Sequence, residues 1–127
     1  MTCARFEDIP AWQEAIRLAE GVYDMTESKN WPGSRSLQDQ LERAALSVSN
    51  NIAEGFERGT TNELLAFLYI ARGSAGEVRS MLCFLERRKA FSNFKSQIHS
   101  RELLSPTARL GGLPAELGHQ GPAAFKR

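Results

Sequence analysis

Five polar residues, Gln40, Arg43, Ser47, Asn50 and Glu54, recur at spacings of three, four, three and four, which sets them on one face of a helix. Asn51 adds an amide beside them, and Glu63, Ser74 and Glu77 supply hydroxyl and carboxylate groups in the next helical segment. Such a set can be a solvated face, a hydrogen-bonded network between helices, or a ligand site. Small neighbours, including the alanines, Gly55, Gly73 and Gly76, favour the network because they let polar groups meet across a close contact. The expectation is a structural polar network of Gln40, Arg43, Ser47, Asn50, Asn51, Glu54, Ser74 and Glu77, with Glu54 accepting from Arg43 or from amides that open the next helix at Thr61.

Catalytic chemistry finds little support. Carboxylate metal sites in helical bundles use glutamates with Glu-x-x-His pairs on facing helices. The one such pair here, Glu116 with His119, lies in a stretch rich in Gly and Pro, and His99 is the only other histidine. No catalytic residue, metal or cofactor is expected, and a metal-binding bundle enzyme is the least favoured alternative. Nothing in the sequence brings together a Ser/His/Asp or Cys/His set. Cys3 and Cys83 follow neither ligand nor redox spacing, which fits reduced cytosolic thiols.

Arg72, Arg79, Arg87, Arg88 and Lys89 are the candidates for contacts to nucleic-acid phosphates, although Glu77 and Glu86 interleave with them as on a solvated helix face. With 16 basic against 15 acidic residues, the formal charge is +1 and no global field points to such a partner. The N-terminus "MTCARFEDIP" has no apolar core of a signal peptide, and no run of about 18 apolar residues could span a membrane. The chain therefore reads as a soluble cytoplasmic protein.

The elements that carry these residues are helical. Ile9, Trp12, Ile16, Ala19 and Tyr23 predict a first helix over 9–27, with Asp8 as its cap and Pro10 in its first turn. Trp31 stands alone as an apolar residue in the loop "SKNWPGSRS". Ser36 and Asp39 read as a capping box for a second helix, whose seam is Leu37, Leu41, Ala44 and Val48 with Ala45 and Ile52 beside it, and which ends near 55–58. Gly59 ends that helix, and Thr60 with Glu63 caps a third from Thr61 to about Arg88.

The third helix carries Leu64, Leu68, Ala71, Ala75, Val78, Leu82 and Leu85 in an unbroken four-three repeat, a seam like that of a coiled coil. Gly73 and Gly76 inside it predict a close approach by another helix. Phe91, Phe94 and Ile98 predict a fourth helix from about 91 that ends or kinks near 105, before Pro106, Gly111 and Pro114. The fold expected is all-α, an antiparallel up-and-down four-helix bundle over 1–118 with a disordered tail over 119–127. Surplus apolar surface and small residues on the third helix call for at least a dimer.

The segments "FEDIPAWQEAIRLAEGVYDMT", "QLERAALSVSNNIAEGFER" and "FLYIARGSAGEV" resemble the four-helix-bundle proteins encoded in intervening sequences of bacterial 23S ribosomal RNA genes, over about residues 5 to 85. That resemblance implies a homopentamer with no assigned activity. A related accessory protein of diversity-generating retroelements shares the architecture, binds nucleic acid on a basic surface and partners a reverse transcriptase. By resemblance, then, the chain is a non-catalytic homo-oligomeric scaffold associated with RNA or an RNA-handling protein. The alternative is a scaffold for a protein partner alone.

Overall fold

A computed structural model describes residues 5–99 and 103–114, and all the regular structure among them is helical. After a short 3-10 turn at Phe6–Asp8 come α1 (Pro10–Thr26), α2 (Arg35–Arg58) and α3 (Thr61–Glu86). A 3-10 segment at Lys89–Phe94 then leads to two short helices, α4 (Lys95–His99) and α5 (Leu104–Leu110). Residues 119–127, read above as a tail, lie outside the described residues. None of the helices among the described residues is long and apolar enough to cross a membrane.

The turn between α2 and α3 follows the local chemistry. Gly59 adopts φ 94°, the left-handed conformation that ends a helix without a Cβ penalty. Thr60 Oγ1 then accepts from the Glu63 N–H at 3.2 Å and lies 2.9 Å from the Glu63 carboxylate, so the expected cap is formed. The start of α2 differs from expectation by two residues. Ser34, whose hydroxyl accepts from Leu37 N at 3.1 Å, is the cap, while Ser36 is already helical and accepts from Gln40 Nε2 at 3.2 Å. Ile9, not Asp8, holds the cap position of α1.

All seven members of the α3 seam are buried, from Leu64 to Leu85. The α2 seam is buried too, except that Leu37 is half-buried, and Ser49, Gly55 and Phe56 join it. In α1 the expected face is buried only in part, at Ile9 and Ala19. Ala15, Leu18, Val22 and Met25 fill the core, and Trp12, Ile16 and Tyr23 stand half-buried at its edge. The helix is apolar over a wide arc, so its bulkiest residues do not mark the arc's centre.

α2 and α3 lie side by side at close range. A Cβ added at Gly55 would stand 2.9 Å from Phe67 Cβ and 3.3 Å from the Leu64 carbonyl, so glycine is what this crossing admits. Gly73 and Gly76 have no such neighbour within 4 Å, and the close approach expected there is not made within the chain.

The fourth helical segment expected from about 91, ending or kinking near 105, is the 3-10 segment Lys89–Phe94 followed by α4 and α5. Pro106 lies in the first turn of α5, where its missing N–H costs no intrahelical bond. Leu103, Leu110 and Leu113 are fully buried, and Leu103 Cδ2 fills the notch at Gly21 of α1. The lone loop tryptophan has a packing role: Trp31 meets Phe91 and Phe94 edge to face, with ring centroids at 5.0 and 6.1 Å.

Candidate functional site

The polar stripe of α2 opens onto the groove beside α3. Two adjoining surface depressions run along it, one lined by Gln40, Arg43, Ala44, Ser47, Ser74 and Glu77, the other by Arg43, Leu46, Ser47, Asn50, Asn51 and Glu54. Both share Arg43 and Ser47. All eight residues expected to form the network therefore border one continuous groove.

Only its floor is a network. Ser47 Oγ on α2 lies 2.8 Å from Ser74 Oγ on α3, and Asn51 Nδ2 donates to the Ser47 carbonyl at 2.7 Å and to its hydroxyl at 3.0 Å. Gln40, Arg43, Asn50, Glu54 and Glu77 form an exposed rim. Glu54 does not pair with Arg43. It lies 3.7 Å from Arg58, one helical turn on, and Arg58 also reaches Glu63 at 3.6 Å and covers the Phe67 ring at 5.2 Å. Arg58, outside the stripe, thus joins both sides of the turn.

Neither serine hydroxyl bonds to an imidazole or a carboxylate, the partners that make a hydroxyl nucleophilic. Among the described residues no group of three or more His, Cys, Asp or Glu side chains is placed to hold a metal ion. Glu116 and His119 lie outside those residues.

Arg72, Arg79, Arg87, Arg88 and Lys89 are all exposed. Arg72 and Arg79 share one edge of α3, whereas Arg87, Arg88 and Lys89 cluster at its C-terminal exit, where positive charge complements the helix dipole. Arg88 stacks over Phe84 at 6.0 Å.

Two polar links escaped the sequence reading. Glu42 on α2 accepts from the buried Thr26 hydroxyl of α1 at 2.5 Å and from Gln38 Nε2 at 3.1 Å. Arg109 of α5 reaches back to Glu14 of α1, its Nε donating at 2.7 Å, beside a depression also bordered by Arg17, Glu20, Asp24 and Pro106. These partners are 16 and 95 positions apart, and no local spacing announces them.

The arrangement of α1, the α2–α3 pair and α5 coincides with a family match. A family described as 23S rRNA-intervening sequence protein matches residues 7–110. The chain belongs to that family. Its match runs beyond the segments that carried the resemblance and takes in the residues of α4 and α5. No curated protein matches the chain.

Proposed function

We propose that this family member is a non-catalytic, cytoplasmic homo-oligomeric scaffold whose subunit is an antiparallel four-helix bundle. The observation that carries the reading is the outer side of α3. Tyr69, Ile70 and Phe84, at 58%, 50% and 52% exposure, are the exposed large hydrophobics among the described residues, and all three lie on this one helix. A helix apolar on two sides is one that two partners cover. Gly73 and Gly76, open within the chain, lie between them and admit a close neighbour. A pentamer is the assembly that the family resemblance implies.

Because assembly stabilises the folded chain by mass action, the melting temperature should rise with protein concentration. A melting temperature constant over a hundredfold range of concentration would overturn the scaffold reading.

A second reading adds RNA as the partner, and the exposed basic residues favour it. Arg72, Arg79, Arg87 and Lys89 form no ion pair among the described residues, and symmetry would multiply the cluster at the α3 exit around an oligomer. Binding to structured RNA should weaken steeply with salt, and replacing Arg87 and Lys89 by alanine should flatten that slope. No association at low salt with the oligomer intact would leave a protein partner as the scaffold's cargo.

A further inference from the structure

The outward side of α3 repeats the pattern of its inward side. Ala66, Tyr69, Gly73, Gly76, Ser80 and Cys83 recur at spacings of three and four, and every one is exposed. Each stands two residues before or after one of Leu64, Ala71, Val78 and Leu85 of the core seam, which places the set on roughly the opposite side of the helix. α3 thus carries a second heptad, with Ala66, Gly73 and Ser80 at a and Tyr69, Gly76 and Cys83 at d.

The flanks of this heptad match in one orientation. Leu65, Arg72 and Arg79 fall at g, while Ile70, Glu77 and Phe84 fall at e. In parallel helices, g of one chain meets e of the other five residues further on. That rule sets Leu65 against Ile70, Arg72 against Glu77, and Arg79 against Phe84, giving an apolar contact, an ion pair and a guanidinium on an aromatic ring. The Phe84 ring already takes the Arg88 guanidinium within its own chain. An antiparallel pair sets g against g and e against e, which gathers arginines on one flank and glutamates on the other. Arg72, Arg79 and Glu77 have no ion-pair partner among the described residues.

We propose that the occupant of this face is the α3 helix of a second copy, parallel and in register. The proposal rests on the oligomeric reading and adds to it a face, a direction and named contacts. Gly73, Gly76 and Ser80 let the two backbones approach, and Tyr69 supplies bulk at the N-terminal end of the seam. Arg72 and Arg79 are then subunit contacts, and phosphate binding falls to Arg87, Arg88 and Lys89.

The test is charge reversal read by sedimentation velocity. Arg72→Glu and Glu77→Arg alone should each weaken association by at least about tenfold, because like charges then face each other across a subunit contact. The double variant Arg72→Glu/Glu77→Arg should recover association to within about threefold of the parent. Both residues are exposed in the chain, and unchanged helical circular dichroism checks that each variant folds.

A second measurement fixes direction. In a Cys3→Ser background, mild oxidation should join Cys83 to Cys83 of the neighbouring copy, whereas an antiparallel pair would hold them about 20 Å apart. If the parent is oligomeric while the reversals have no effect, or while Cys83 does not cross-link, the α3 contact is wrong and the scaffold reading stands. A monomeric parent overturns both.

Discussion

The hydroxyls of Ser47 on α2 and Ser74 on α3 meet at 2.8 Å, a direct side-chain hydrogen bond between the two longest helices. It is possible because the residues around it are small. Ala44 lines the same depression, and about two turns further toward the hairpin Gly55 leaves no room for a Cβ against Phe67 and the Leu64 carbonyl. The polar stripe therefore divides into a bonded floor that links α2 to α3 and an exposed rim that faces outward.

Ser47→Ala removes the bond to Ser74 and one of the two acceptors of Asn51, so it should lower stability by about 1 kcal/mol. Ser74→Ala should cost somewhat less. In a double-mutant cycle by urea denaturation, the two should couple by about 0.5 kcal/mol or more, whereas strictly additive costs would show that the bond contributes nothing.

Gly55→Ala and Gly73→Ala should have opposite effects on the dissociated chain. At Gly55 the new methyl meets Phe67 Cβ and the Leu64 carbonyl, atoms held by the backbone, and the expected loss is about 1–3 kcal/mol. At Gly73 it meets nothing, and the gain in helix propensity is up to about 1 kcal/mol. Melting curves at the lowest workable concentration compare them, and a stabilised Gly55→Ala would contradict the close crossing.

Where the sequence carried one strong period, it was sufficient. The α3 seam is unambiguous because its four-three repeat runs from Leu64 to Leu85 without a gap, and the turn before it is marked by a glycine and a capping pair whose geometry is local. In α1 the expected face is only partly the buried one: Ile9 and Ala19 are in the core, but Trp12, Ile16 and Tyr23, large and regularly spaced, stand at its edge while the smaller Ala15 and Val22 are fully buried. The outer heptad of α3 was hidden by its own composition: glycine, serine and alanine register weakly in a hydrophobic count. Arg43 and Glu54 looked like partners because they share a helix face, but an arginine one turn away from Glu54 is closer. The Arg109–Glu14 contact depends on how the chain returns after α3, which no local pattern encodes.

Tyr23 gives a prediction in alkali. Burial first, and then the carboxylates of Glu42, Glu27 and Asp39, hold its phenol above the usual tyrosine range. A group whose folded pKa is raised contributes stability that is fully present below its unfolded value and is lost as pH rises through the folded one. Melting temperature should therefore begin to fall above about pH 10, and Tyr23→Phe should reduce that fall. An identical alkaline profile for the variant would remove Tyr23 as its cause.

The most direct measurement is the native mass of the unmodified chain at micromolar concentration. The proposed assembly through the face of α3 that bears Tyr69, Phe84 and open glycines predicts a multiple of the 14.1 kDa chain. A mass of one chain would contradict the account.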